Sequence, residues 1–261
     1  MMNNKNNTRP TILVTNDDGV DAKGIEALIE AAKPFGDVVV VAPSGAMSGM
    51  SHAITVKDPL FIKKIKEEEG LTIYSLNGTP ADCIKLGFNK ILKEKPAMVV
   101  SGINHGTNSS VSVHYSGTVG AAREGALYGV PSVAFSLLDY MPDADFNPSI
   151  PYCKEIISYF LENGMDSGTY INVNIPKGND LKGIKIARQA DGVWAEEFDE
   201  RGTPRGEKYF WLTGKFQNNE EERDDTDEWA LKNGYVSLVP CVVDVTAHNM
   251  IEKLAELEVK A

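Results

Sequence analysis

The chain of 261 residues is poor in cysteine and carries no surplus of positive charge. Its three cysteines, Cys83, Cys153 and Cys241, are odd in number and far apart, and no CxxC occurs. Neither a zinc ribbon nor a disulfide framework is expected, and three reduced thiols fit a reducing cytoplasm. Lys and Arg number 26 against 37 Asp and Glu, for a formal net charge of -11. The basic footprint that duplex nucleic acid requires is missing, although a small phosphorylated ligand remains possible because a metal and backbone N–H groups can hold one. No segment approaches the roughly 18 consecutive apolar residues of a membrane span. The first ten residues are polar and Asn-rich, so a disordered tail is expected there and a secretory leader is not.

Several catalytic signatures are also missing. No GxGxxG follows the first strand and no GxxxxGK precedes a Ser or Thr, which removes the dinucleotide fingerprint and the P-loop. Gly45-Ala46-Met47-Ser48-Gly49 does not match the GxSxG nucleophile elbow. His52, His105, His114 and His248 form no HExxH or HxH pair, and each is read first as an ordinary polar residue. Phosphatases that phosphorylate their own aspartate usually carry DxD after the first strand, whereas the acids here are adjacent.

What is present starts with Thr11-Ile12-Leu13-Val14-Thr15-Asn16-Asp17-Asp18-Gly19. An apolar run of that length reads as a buried parallel strand. The acids after it sit where open α/β sheets place ligands, and two carboxylates with no basic neighbour call for a cation. The competing reading is a polar turn with an Asp cap and a glycine at positive φ. Helical spacing over Ala22 to Ala32 leads to a second strand, Val38 to Ala42. Ala53 to Ile65 and Leu71 to Leu76 are expected as an antiparallel excursion, with the charged run Lys63 to Glu69 as its solvated turn. Thr79 is placed to cap a helix from Pro80 that buries Cys83. Pro96 to Val100 reads as a third strand, followed by the polar loop Ser101 to Asn108. A helix opens at Ser116-Gly117-Thr118, and Pro131 to Leu138 reads as a fourth strand.

Beyond it follow a helix over Pro151 to Asn163, strands at Tyr170 to Ile175 and Ile184 to Ala187, and an aromatic β-rich extension with a solvated acidic loop at Glu220 to Asp225. A last strand at Tyr235 to Val239 and a C-terminal helix over Thr246 to Lys260 complete the reading. The expectation is an α/β fold with a doubly wound, mainly parallel Rossmann-like sheet. Residues 1-10 are the tail and 11-140 the catalytic core. Residues 141-261 complete the core and add the β-rich extension and the C-terminal helix.

In a doubly wound sheet the loops bearing Asp17 and Asp18, Ser48 and Gly49, and Asn104 and Asn108 converge on one crevice. Carboxylate, hydroxyl and amide oxygens suit Mg²⁺, Mn²⁺ or Ca²⁺ and not zinc. The helix start at Ser116 is a ready phosphate site, unless its hydroxyl is simply a cap.

Taken together, Asn16-Asp17-Asp18-Gly19, Ala42-Pro43 with Ser48-Gly49, Gly78-Thr79-Pro80-Ala81-Asp82-Cys83, Ser101-Gly102-Ile103-Asn104 with Gly106 and Asn108, and Tyr115-Ser116-Gly117-Thr118-Val119 resemble the SurE family in order and type. The resemblance implies a 5′-nucleotidase active on nucleoside monophosphates, in a family many of whose members also act on 3′-nucleotides and short polyphosphate. It implies one divalent cation per subunit, Mg²⁺ or Mn²⁺, on Asp17, Asp18, Ser48 and Asn104, with Asp17 and Asp18 the catalytic pair. Asn16, Gly49, Asn108, Ser116, Gly117 and Thr118 fall at the phosphate and substrate side. It also implies a cytoplasmic homodimer or homotetramer assembled through C-terminal elements. A non-catalytic nucleotide- or metal-sensing module using the same crevice is the alternative.

Overall fold

A computed structural model describes residues 9–258. Most of the expected tail, and the last residues of the expected C-terminal helix, lie outside the described residues. Arg9 and Pro10, the described end of the tail, are tied to the domain: the Arg9 guanidinium donates to the carbonyls of Lys33 and Gly36, and the Pro10 carbonyl accepts from Asp37 N–H.

The core opens with β1 (Thr11–Thr15), α1 (Lys23–Ala32) and β2 (Asp37–Pro43), where four consecutive valines favour the extended chain. β3 (Ile62–Glu68) and β4 (Leu71–Leu76) follow, then α2 (Pro80–Leu86), β5 (Met98–His105), α3 (Gly117–Leu127), β6 (Ser132–Leu137), α4 (Ile150–Asn163) and β7 (Thr169–Ile175). The chain continues through β8 (Ile184–Ile186), β9 (Gly192–Ala195), β10 (Phe198–Gly202), β11 (Lys208–Leu212), β12 (Lys215–Asn218), α5 (Asp227–Lys232), β13 (Val236–Val242) and α6 (His248–Leu254).

The main sheet has the order β3-β4-β2-β1-β5-β6-β7-β13-β8. The six strands β4-β2-β1-β5-β6-β7 run parallel, β3 pairs antiparallel with β4, and β13 pairs antiparallel with β7 and parallel with β8. Helices α1 and α4 pack together on one face, and α2 and α3 on the other. The expected doubly wound α/β architecture is therefore present. From β1 the chain winds outward to β2 and β4, then returns to place β5 on the other flank of β1. The gap between the carboxyl ends of β1 and β5 is the topological switch point, where such sheets bind ligands.

Three local expectations need correction. Ala53 to Phe61 is not a strand, and the charged run is not a turn: Lys63 to Glu68 lies in β3, with the turn at Glu69-Gly70. Every residue of β3 is exposed, and its lysines and glutamates guard a sheet edge against pairing with other chains. Second, β4 is no excursion, because it pairs parallel with β2 in the main sheet. Third, β5 runs past Val100 to His105, so most of the expected third loop is strand. The C-terminal helix is short and carries no buried residue. Thr79 does cap α2, in a reciprocal box: its Oγ1 accepts from Asp82 N–H at 3.1 Å, and Asp82 Oδ2 accepts from Thr79 N–H at 3.0 Å. Cys83 and Cys153 are plain core, as the sequence suggests for Cys83. No helix among the described residues is long and apolar enough to cross a membrane.

Candidate active site

Asp17 leaves the end of β1 and is buried, 3% exposed. Its Oδ1 accepts the Thr118 hydroxyl, and its Oδ2 accepts Thr118 N–H at 3.2 Å. Burial is the main influence and raises the carboxyl to about 6; the Thr118 donors oppose that shift and the Asp18 charge adds to it. Asp18 is half-buried and its Oδ2 accepts His105 N–H at 3.1 Å. Burial raises its pKa as well, against the His105 N–H and ring. Asn16 turns inward, its Nδ2 donating to the Gly19 carbonyl at 2.8 Å.

The second loop is stitched beneath the first by Met47 N–H, which donates to the Asp17 carbonyl at 2.7 Å. This brings the exposed Ser48 and Gly49 to the same mouth. From β5, Asn104 spends its Nδ2 on the carbonyls of His105 and Gly106, at 3.0 and 2.9 Å. Its Oδ1 is thereby the end free to coordinate.

Asn108 is held by three neighbours. Its N–H donates to Asn174 Oδ1, its carbonyl accepts from Asn172 Nδ2, and its Nδ2 donates to Ser136 Oγ. Ser116 caps α3, its Oγ accepting Val119 N–H at 3.0 Å. With Thr118 N–H on Asp17 and Gly120 N–H on the Ser116 carbonyl, Gly117 N–H is the first-turn donor of α3 left open among the described residues. A side chain at Gly117 would press on Asp17, since a Cβ there would stand 3.1 Å from Asp17 Cβ.

A cavity of about 620 Å³ unites these groups. Asp17, Ser48, Gly49, Asn104, Asn108 and Ser116 line it. Asp18, Asn16, Gly117 and Thr118 are not among its lining residues, and both Thr118 donors serve Asp17. The volume is that of a small-ligand site. Of the histidines, only His105 reaches it; His52 instead pairs with the buried Glu124 at 2.7 Å. No cluster of three or more His, Cys, Asp or Glu able to hold a metal exists among the described residues. A site here must therefore rest on the two carboxylates with neutral oxygens. Asp17, Asp18, Ser48 and the free Asn104 Oδ1 make such a set, and it fits a hard divalent cation with positions left for water and substrate.

A model of the family described as Survival protein SurE matches residues 12–196. The chain belongs to the SurE family. A relative named 5′-nucleotidase SurE, from Flavobacterium psychrophilum, is 52% identical over 95% of this chain and 97% of its own. Another of that name, from Caldanaerobacter subterraneus, is 42% identical over 96% of this chain and 98% of its own. The crystal structure of the SurE protein from Aquifex aeolicus superposes with a TM-score of 0.83 at 38% identity, covering 96% of this chain and 100% of that one. The Aquifex structure therefore shares the α/β architecture described above.

The cavity also holds residues that the motif reading did not single out as ligands: Thr107, Tyr115, Tyr140, Trp194, Glu197 and Leu212. Tyr115 and Thr107 lie beside the motifs. Tyr140, Trp194, Glu197 and Leu212 come from loops and strands far along the chain, with no local pattern to mark them. Behind the third loop, Asp227 at the start of α5 accepts the N–H groups of Ser110 and Ala190, at 2.8 and 2.9 Å. Those bonds pin the stretch between Asn108 and Ser116 to the base of the β-rich extension.

Proposed function

We propose that the chain is a metal-dependent 5′-nucleotidase, releasing phosphate from nucleoside 5′-monophosphates and, as secondary substrates, from 3′-nucleotides and short polyphosphate. The observation that carries this reading is the double character of one cavity. Asp17, Ser48, Asn104 and Asn108 offer oxygen and amide groups from successive strand ends, and Tyr115, Tyr140 and Trp194 offer aromatic surface. A phosphate joined to a flat, apolar-faced group matches that division. The activity in the relatives' names supports the same reading.

Asp17, Asp18, Ser48 and Asn104 would hold one divalent cation per subunit, Mg²⁺ or Mn²⁺. When bound, that cation supplies Lewis acidity and neutralises phosphoryl charge. The α3 start meets the phosphate with Gly117 N–H, the Ser116 side and the positive end of the helix dipole, all aimed where negative charge builds up in transfer. Asn16 and Thr118 act at one remove, Thr118 by fixing both oxygens of Asp17. Gly49 admits substrate without a side chain in the way, and Asn108 borders the phosphate from the third loop. Asp18 has its Oδ2 on His105 N–H, and its Oδ1 takes no hydrogen bond among the described residues. Oδ1 is therefore our candidate acceptor for the proton of the attacking water.

Phosphate release from AMP, GMP and p-nitrophenyl phosphate, with and without EDTA, tests the reading. Metal-dependent release is expected, and Asp18→Asn in saturating Mg²⁺ is expected to lose activity by about 100-fold or more. Near-normal turnover in that variant would remove the metal assignment. Tight nucleotide binding without turnover would point to a sensor instead. Two further aspects belong to the same proposal. Unpaired Cys83, Cys153 and Cys241 support a cytoplasmic setting. Exposed Phe198, Phe210, Trp211, Ile251 and Leu254, on the antiparallel β10–β11 hairpin and on α6, support a homodimer or homotetramer built from C-terminal elements.

A further inference from the structure

Tyr140 lies just beyond β6 and is 68% exposed, yet its ring is held at two points. Its hydroxyl accepts Thr107 N–H at 3.2 Å. Its ring rests on the backbone of Gly106, so closely that a Cβ there would stand 2.1 Å from Tyr140 Cε1. Gly106 also has φ of 89°, so the position excludes a side chain on two grounds. Both anchors lie between Asn104 and Asn108. The segment that presents a metal-ligand amide and a phosphate-side amide therefore also sets the place of this ring.

Most exposed tyrosines lie loosely on a surface. Here an aromatic face is fixed, left uncovered, and turned into the cavity. Trp194 lines the same cavity and is itself fixed, edge-on to Phe216 with ring centroids 5.8 Å apart. By contrast, Phe210 and Trp211 of the exposed hairpin do not line it.

We propose that Tyr140 is the stacking platform for the nucleobase, a specificity-determining residue that distinguishes nucleotides from phosphate esters without a base. The proposal rests on the 5′-nucleotidase reading above. Stacking uses the π-face that every base has, so the platform selects for the presence of a base more than for its identity. The Asn104–Asn108 segment sets the spacing between phosphate and base.

The test compares kcat/KM for AMP and for ribose 5-phosphate, which keeps the sugar phosphate and lacks the base. The wild-type ratio is expected to favour AMP. In Tyr140→Ala the ratio falls about tenfold, the effect of losing one base–aromatic stack. In Tyr140→Phe it stays within about twofold, because the ring keeps its seat on Gly106. If Tyr140 merely braced the loop through Thr107, both substrates would suffer alike and the ratio would hold. An unchanged ratio in Tyr140→Ala overturns the proposal. Failure of the wild type to release phosphate from either compound would count against the nucleotidase reading alone. The platform would then be judged by calorimetry, as the same collapse, or its absence, in the ratio of dissociation constants for AMP and ribose 5-phosphate.

Discussion

Asp17 is a carboxylate buried beside another carboxylate, with Thr118 as its partner and no cation from its own chain acting on it. An unfolded aspartate loses its proton near 3.8, and this one, in the fold, near 6. Between those values the folded chain holds a proton that the unfolded chain has released. Asp17 therefore lowers stability as pH rises through that window, and the penalty is constant above it. The full effect is at most about 3 kcal/mol. Asp17→Asn removes it. In EDTA, the melting temperature of the variant should exceed that of the wild type by a margin that opens between pH 4 and pH 7 and is flat at pH 8. Added Mg²⁺ or Mn²⁺ should stabilise only the wild type. A margin that does not change with pH would mean that the buried charge is not the cause. The residue that makes the site useful is thus one the fold tolerates at a cost.

Elements show a similar division between local and distant causes. The capped start of α2 follows from Thr79, Pro80 and Asp82 alone. The length of β5 does not. Its polar continuation, Ser101 to His105, looks like loop until β6 supplies partners for Ser101, Asn104 and His105. The acidic loop after β12 is likewise less free than its charges suggest. Arg188 bonds both Glu220, at 2.8 and 2.7 Å, and Asp225, at 3.0 and 3.1 Å. The Arg188 guanidinium and then Asp191 N–H push the Glu220 carboxyl down to about 2. Such partly exposed pairs add little to global stability, but a shared guanidinium orders the segment it bridges. Arg188→Ala should leave the melting temperature nearly unchanged while speeding tryptic cleavage after Arg223 by about tenfold, read by mass spectrometry of early fragments. Equal cleavage in both proteins would show that the loop is held by something else.

At the scale of the molecule, burial is uneven. The sheet and its four flanking helices enclose the core, whereas β10, β11 and α6 leave Phe198, Tyr209, Phe210, Trp211, Met250, Ile251 and Leu254 exposed. Apolar rows left exposed on a single chain are a usual mark of association. Light scattering is expected to give two or four times the 28.5 kDa chain mass. Paired charges at the apolar rows, Trp211→Glu with Leu254→Glu, should shift it toward the single-chain value. A monomeric wild type would assign these rows another role.

The amino-acid sequence by itself determined the parts that depend on short-range order. Apolar runs ending in Asp17-Asp18, in Pro43 with Ser48 soon after, and in the segment before Asn104 specify parallel strands. Right-handed crossovers then bring those strand ends together with no further information. The helix start at Ser116 was legible for the same reason. Tertiary structure alone decided what those groups face. It placed Tyr140 on Gly106, carried Trp194, Glu197 and Leu212 back to the cavity, and set both Thr118 donors on Asp17. An exposed aromatic or a hydroxyl carries no periodic signal. Its partner is set by where a distant segment returns, and that is a property of the packed chain.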